Sequence, residues 1–470
     1  MRELALLATL LATAAAPAMS PDARLRAIVA PVSAARLKGT VEKLVSFGTR
    51  HTLSSQTDPN RGIGAALNWT ESQFMSSGLP TFRPCDSFTG ERIPTQTRVC
   101  DMIGIQLGTE RPNDVVIITA HLDSRVTDIM NANAFEPGAN DDGSGVATVL
   151  EAARVLSKHK FPGTIVYAAL SGEEQGLYGG KVLAHFAKAQ GWNVIADLNN
   201  DIIGNSCGSD GVCDSAHVRV FSEGPRWQAL DQLAGAQRTL GGENDSPSRN
   251  ISRYLASLAG RLKIGLEVRQ VWRTDRFGRG GDHIEFLNQG FPAVRLSVAV
   301  ENYNWQHQDV RVANGVQYGD TPDHMNFPYL AKITKLNTAA LAAIASAPPP
   351  PEPRVEGAVN TDTTLTWTVV TGATNYRMYM RRTDAPNWQR ASYNGHYLAA
   401  NLCMIEISKS KNQHAGDGGC VPFKTTLEHI RVDDWVFGVS SVSKNGFEGP
   451  VASAVPGGAF KPYVAPPKKP

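Results

Sequence analysis

From about residue 100 to residue 346, short β-rich apolar runs alternate with segments whose apolar residues recur at helical spacing. "DVVIITAHLDS" predicts a strand running into polar residues. "SGVATVLEAARVLSKH" places Val146, Val149, Leu150, Ala153 and Leu156 on one helical face. "GTIVYAALSGEE" predicts a strand followed by an acidic loop, "LYGGKVLAHFAKAQ" a helix, and "VIADLNNDIIGN" a strand closing on Asp201. "GFPAVRLSVAVENYNWQHQD" predicts a further strand running towards His307, and "YLAKITKLNTAALAAIA" a last helix. Strands alternating with helices predict an α/β fold, a mainly parallel sheet flanked by helices.

The pattern changes at "APPPPEP". A proline run cannot continue a helix or a central strand and behaves as a stiff extended spacer. Beyond it, "TTLTWTVV", "NYRMYMRR" and "DWVFGVSSVS" alternate apolar and polar positions between turn residues, predicting a small antiparallel all-β sandwich. The expected organisation is a leader at 1–18, a main domain at 19–346, a Pro-rich linker at 347–353, a β module at 354–456 and a disordered tail at 457–470. The leader assignment rests on Arg2, an apolar stretch from Leu4 to Ala16 too short to span a bilayer, and the small residues Ala16 and Ala18 around Pro17. An N-terminal helix is the alternative.

Composition adds only exclusions. A net charge of +2 with no long basic run argues against a nucleic-acid or membrane-surface protein. The six cysteines fall into three sequence-local pairs: Cys85 with Cys100, Cys207 with Cys213, and Cys403 with Cys420. Proximity alone makes these the expected disulfides of an exported protein, reduced thiols being the alternative. No C-x-x-C spacing points to a cysteine zinc site. Asn68 and Asn250 stand in N-x-Ser/Thr triplets.

His121, Glu173, Glu174, Asp201 and, more loosely, His307 lie at or after the carboxyl ends of predicted strands, the edge where open α/β sheets build sites. Taken singly, "AHLDS" holds an ordinary strand-end histidine, "PGANDDGSG" with Asp141 and Asp142 is a turn opening a helix, and "SGEEQG" is a solvated loop. Converging, they need a cation, because adjacent carboxylates at the end of a buried strand resist ionising together. His and carboxylate donors without cysteine suit zinc, and one bridging carboxylate suits two ions. Asp123, two residues beyond His121, is placed to orient the imidazole.

The order His-x-Asp, Gly-Ala-x-Asp-Asp-x-Ser-Gly, Glu-Glu, Asp, His resembles the co-catalytic di-zinc aminopeptidases, which include secreted bacterial and fungal leucyl-type enzymes. The resemblance covers roughly residues 35–346. It implies a zinc exopeptidase fold and two Zn2+ per chain, with His121, Asp141, Glu174, Asp201 and His307 as metal ligands and Asp141 bridging. Glu173 would be the general base and Asp123 would join it in the catalytic set, while Asp142 shares a junction of unusual peptide geometry with Asp141. "GGDHIEFLNQGFPAVRL" resembles the family's Ser-Asp-His segment, so Asp282 and His283 would line or support the site. The chain departs from the family at the last ligand: His307 stands in "NWQHQDV", and the matching Asp320-Thr321 follows only after an insertion, with His324 as competitor. The long segment from Gly204 to Tyr254 is a candidate wall of the substrate pocket. The β module resembles fibronectin type III, with a spacer or adhesion role expected and a surface or another protein as a conceivable partner.

These features point to a secreted metallo-aminopeptidase, extracellular or periplasmic, acting on peptide or protein N-termini, with neither nucleic acid nor a membrane span involved. Alternative readings are a glutaminyl cyclase, carboxypeptidase or dipeptidase of the same fold, or a non-catalytic adhesion protein.

Overall fold

The computed structural model describes residues 19–225, 231–393, 396–397, 399–400 and 423–455. The expected leader, the tail and the Cys403/Cys420 pair lie outside the described residues.

The chain enters through α1 (Pro21–Val29), α2 (Ala34–Val45) and α3 (Gly62–Ser76). An edge strand, β1 (Thr81–Phe82), precedes a hairpin of β2 (Cys85–Gly90) and β3 (Ile93–Cys100), and then β4 (Met102–Gln106) and β5 (Arg111–His121). Strand and helix then alternate as the periodicity predicts, through α4 (Gly143–Leu156), β6 (Gly163–Leu170), α5 (Tyr178–Ala189) and β7 (Asn193–Asn200). β8 (His217–Ser222), α6 (Asp231–Leu240), α7 (Pro247–Leu262), β9 (Glu267–Val271), α8 (His283–Asn288) and β10 (Ala293–Val298) follow. A small hairpin of β11 (Arg311–Ala313) and β12 (Val316–Tyr318) leads into α9 (Phe327–Ser346).

Eight strands form the central sheet in the order β1-β4-β6-β5-β7-β10-β8-β9. Its heart, β6-β5-β7-β10, is parallel, and antiparallel pairs join β4 to β6 and β8 to β10. Every residue of β6 is buried, as expected of a strand covered on both faces. One face packs Val116, Ile118, Ile165 and Tyr167 against Val149 and Leu156 of α4 and Leu336 of α9. The other packs Ile117 and Val166 against Leu183 and Ala187 of α5 and Phe286 of α8. This alternation of inward residues along β5 and β6 is the period-two pattern of a strand with two apolar sides.

The register levels the carboxyl ends. His121 pairs with Leu170, Thr119 with Asn199, and Leu296 with Asn200. His121 therefore comes level with the first residue after β7, Asp201, and with the start of the acidic turn after β6. Polar side chains far apart in sequence meet along one line because the strands keep step.

Further all-β sheets follow the last helix. Strands Arg354–Glu356, Thr363–Trp367 and Phe423–Leu427 form one, and Ala373–Arg382 with Trp435–Ser443 centre another. Between them lie Leu365, Trp367, Tyr376, Met378, Phe437 and Val439. The proline run is no free spacer, since Ala347 and Pro348 are buried and Arg111 Nη2 donates to the Ala347 carbonyl at 2.7 Å. Arg381 reaches across to Asp245 with a pair of bonds at 2.7 and 2.6 Å, both side chains buried. Trp388 Nε1 donates to Asn250 Oδ1 at 3.1 Å, and Asn250 Nδ2 donates to Ser453 Oγ at 2.9 Å. Asn250 is thus enclosed, while Asn68, the other glycosylation triplet, is exposed on α3.

Candidate metal centre

Two triads meet on Asp141. His121 Nε2 lies 3.1 Å from Asp141 Oδ1 and 3.8 Å from Asp201 Oδ1. His307 Nε2 lies 2.8 Å from Asp141 Oδ2 and 3.0 Å from Glu174 Oε1. Within each triad, His121–Asp141–Asp201 and Asp141–Glu174–His307, the ligand atoms all lie within 4.8 Å of one another. All five sequence-predicted ligands come together. His324 does not join them; it stacks on Trp305 with ring centroids 4.0 Å apart.

The imidazole of His121 is oriented by the backbone. Its Nδ1 donates to the Asp123 carbonyl at 3.0 Å, which leaves the Nε2 lone pair facing the two carboxylates. The Asp123 carboxylate stands farther off, at 3.7 Å, and serves the acidic turn instead. It accepts the backbone N–H of Glu173 at 3.3 Å and of Glu174 at 3.1 Å, and the Thr52 hydroxyl at 3.0 Å. The strand-end pair Glu173-Glu174 is therefore held by its amides rather than by its own charges.

Asp142 works on the fold. Its carboxylate caps α4 through the Gly145 N–H at 2.9 Å and accepts His121 N at 3.2 Å and Ile202 N at 3.3 Å, so it ties the ends of β5 and β7 to the helix start. The Asp141–Asp142 peptide is cis. Gly145 is required here because a Cβ would sit 2.4 Å from Asp142 Oδ2 and 2.6 Å from the Asn200 carbonyl. Ile202 and His307 both hold left-handed backbone, with φ of 57° each, one beside Asp201 and the other at a ligand itself. Such conformations in bulky residues cost on the order of 1–3 kcal/mol and collect at functional sites.

Three supporting residues escaped the sequence reading. The Asp320 carboxylate accepts Asn140 N at 2.9 Å and Asp141 N at 2.7 Å, fixing the shared ligand from behind. Arg295, fully buried in β10, pairs with Asp201 Oδ2 at 2.8 Å and with Asp275 Oδ1 at 2.8 Å. Arg125 Nε binds Glu174 Oε2 at 2.8 Å, and its Nη2 donates to His307 Nδ1 at 2.6 Å. Ligation through His307 Nε2 needs the proton on Nδ1, so Arg125 Nη2 must leave that nitrogen when a metal binds. In the sequence Asp320-Thr321 stands out only as a displaced family dipeptide, and the two arginines carry no local signal.

Asp282 and His283 are buried and are not among the residues lining the cleft. Asp282 Oδ1 accepts Gly180 N at 3.1 Å, and His283 Nε2 donates to the Thr274 carbonyl at 2.9 Å. Nor does the described part of the Gly204–Tyr254 segment line the cleft. The lining includes Asp141, Glu173, Glu174, Asp201, Gln306 and His307, together with four arginines.

The electrostatics are those of a site built around positive charge. Burial disfavours charge on His121, yet Asp123, Asp141 and Asp201 raise its pKa well above the usual imidazole value. Burial alone would raise Asp141, but His307 and His121 hold it well below the carboxylate range. Enclosure, with Glu174, Asp201 and Asp123 nearby, pushes Glu173 well above it against the pull of His121. Glu174 Oε1 is buried and accepts no hydrogen bond. Hard carboxylate oxygens, imidazoles and an unspent buried acceptor fit divalent zinc.

A strand-edge centre of histidines and carboxylates on an open α/β sheet defines a metallohydrolase of the zinc exopeptidase architecture. Residues 102–321 match the model of peptidase family M28. A probable zinc metalloprotease of Pyrenophora tritici-repentis (strain Pt-1C-BFP) is 37% identical over 450 residues, spanning 93% of this chain and 88% of that protein. Another, of Pyrenophora teres f. teres (strain 0-1), is 38% identical over 450 residues with the same shares, 93% and 88%. Among solved structures, the LapA aminopeptidase of Legionella pneumophila shares the fold, with a TM-score of 0.50 at 20% identity, over 72% of this chain and 78% of that one. The chain belongs to peptidase family M28 and is a zinc-dependent peptidase.

Proposed function

We propose that this peptidase is a secreted two-zinc aminopeptidase. The observation that carries the reading is Asp141, whose two oxygens face two histidines of separate triads. His121, Asp141 and Asp201 would hold one ion, and Asp141, Glu174 and His307 the other. Zinc bound there supplies Lewis-acid polarisation of the scissile carbonyl and of the attacking water. Glu173 belongs to neither triad, lines the cleft and has a raised pKa, which suits a general base. Its carboxylate takes the proton from the attacking water and returns it to the leaving amine. Asp123 keeps Glu173 and Glu174 on station by accepting their amides, and Arg295 keeps Asp201 turned towards His121. The disulfides Cys85–Cys100 and Cys207–Cys213 support an oxidising location outside the cytosol. We read residues 19–346 as the catalytic unit and 354–456 as a fibronectin-type β module carried with it.

Metal analysis of the full chain should find two zinc ions, and one would sink the two-metal reading. Glu173→Gln should retain zinc and fold while hydrolysis of amino-acid 4-nitroanilides drops about 10²–10⁴-fold. Activity surviving within about tenfold would take the base role away from Glu173. Cleavage of N-acetylated substrates as readily as free ones would replace aminopeptidase with a different peptidase activity.

A further inference from the structure

Four arginines line the cleft, Arg92, Arg125, Arg276 and Arg279, against the four carboxylates Asp141, Glu173, Glu174 and Asp201. Two of the four are held by more than one nitrogen. Arg125 Nε is spent on Glu174 and Nη1 on the Val126 carbonyl, which leaves only the Nη2 that meets His307. Arg276 is spent on Asp275, Glu301 and the Gly280 carbonyl.

Arg92 and Arg279 differ. Arg92, at the tip of the β2–β3 hairpin, makes one bond, from Nη1 to the Glu174 carbonyl at 3.0 Å. Arg279 makes one, from Nη1 to Glu301 Oε2 at 2.8 Å. Their Nε and Nη2 groups make no hydrogen bond among the described residues, and both side chains reach solvent, that of Arg279 with 33% exposure. Each guanidinium is thus pinned by one nitrogen, with its remaining edge open to the cleft, the arrangement that recognises a carboxylate with two N–H donors.

Among the described residues no cleft carboxylate, Glu173 included, forms an ion pair with Arg92, and Arg279 pairs only with Glu301. Asp141 and Glu174 face His307, Asp201 is paired with Arg295, and Glu301, which already receives Arg219 and Arg276, is shared three ways. Two bound divalent ions would leave the cleft strongly cationic. Its volume of about 320 Å3 is near the lower end for ligand pockets, so a group meeting these arginines lies close to the scissile bond.

We infer that Arg279 and Arg92 bind a carboxylate of the substrate, making this peptidase selective for substrates that carry negative charge beside the bond it cleaves. The carboxylate is either an acidic side chain or the α-carboxylate of a short peptide. The inference rests on the aminopeptidase reading of the same cleft, and its test is separable from that reading.

Hydrolysis of leucine and glutamate 4-nitroanilides by the zinc-loaded chain tests the activity; turnover of neither removes the aminopeptidase reading. Calorimetric titration of the same zinc-loaded chain tests the inference directly, whatever the anilides show. The probes are L-isoglutamine (side-chain carboxylate only), L-glutamine (α-carboxylate only) and L-glutaminamide (neither). One of the two carboxylates should bind at least about tenfold more tightly than glutaminamide, as expected of a charge-assisted pair. Which one does so identifies the source. Arg279→Gln and Arg92→Gln should each erase most of that preference, whereas carboxylate affinity due to zinc alone would survive both. Equal binding of the three probes, or a preference untouched by both substitutions, overturns the inference. Both positions are solvent-facing, and a heat-unfolding midpoint at the wild-type value certifies each variant's fold.

Discussion

Asp141 sits where two triads meet, and what keeps it there is a carboxylate 179 positions further along the chain. Asp320 accepts the amides of both Asn140 and Asp141, and burial pushes its pKa up to about 7 against those bonds. Asp320→Ala should leave two buried N–H groups unpaired and free the ligand turn. We expect zinc affinity to fall about 10–100-fold, the usual effect of removing a partner behind a ligand. Zinc retained against a competing chelator measures it, and wild-type retention would show that Asp320 has no such part. Glu136 is a second buried carboxylate with a measurable consequence. Burial raises it from 4.5 to about 8, opposed by Thr49 and Arg50 and reinforced by Glu174 and Asp123. Between those values the folded chain holds a proton that the unfolded chain has released, so its contribution is full below 4.5 and is lost as pH rises through 8. The heat-unfolding midpoint of wild type should decline from pH 5 to pH 8.5 more steeply than that of Glu136→Gln. Parallel curves would refute the assignment. The five ligand candidates were legible because four stand at or after a strand end and Asp141 in the turn that opens α4, each beside residues of matching chemistry. Asp320 and Arg295 were not, because a lone acid after an insertion and an arginine inside an apolar strand acquire meaning only from the partner that folding brings.

At the scale of elements, the insertion that separates His307 from Asp320 explains itself. β11 and β12 pair with each other, and Gly319 N returns to the Asn304 carbonyl at 3.2 Å, so the added residues leave and rejoin the site at nearly the same place. The core strands and their flanking helices could be read from period and length, since β6 is apolar throughout and α4 carries one apolar face. The antiparallel pairings at the sheet's flanks, β1 with β4, β4 with β6 and β8 with β10, could not, because a flanking strand's direction is decided by its neighbour and not by its own side chains. The β2–β3 hairpin is the element with most to lose. Cys85 faces Cys100 across it in register, and their disulfide closes a separation of 15 residues around Arg92. The double change Cys85→Ser with Cys100→Ser should remove about 3 kcal/mol of loop-closure stabilisation. It should lower the heat-unfolding midpoint measurably, and peptide mapping without reductant should recover the Cys85–Cys100 and Cys207–Cys213 links from wild type. An unchanged midpoint would mean that the hairpin is held by its ladder alone.

At the scale of the whole molecule, the C-terminal sheets are tied to the rest of the enzyme by buried contacts. The proline run suggested two units joined by a spacer, because its composition is that of a stiff linker, and sequence carries no sign of what a linker lies against. In the fold Arg381 and Asp245 form a buried ion pair across the junction, with Asn250, Trp388, Ser453 and the Arg253-to-Pro386 bond of 2.6 Å beside it. Removing one partner of a buried pair strands the other's charge, which costs on the order of 3–5 kcal/mol. Arg381→Ala should therefore destabilise the catalytic half as well as the β half, although Arg381 lies far from the metal ligands in sequence. The intact chain should unfold in one calorimetric transition, and the variant should lower it as a whole. A chain ending at Ser346 would expose Asp245, Asn250 and Arg253 without their partners, and should be cut by protease at concentrations that spare the full chain. Two separate transitions, with only the later-sequence one shifted by Arg381→Ala, would instead mark the β sheets as an independent module. The outcome decides whether the β sheets hold up the peptidase fold or are merely carried by it.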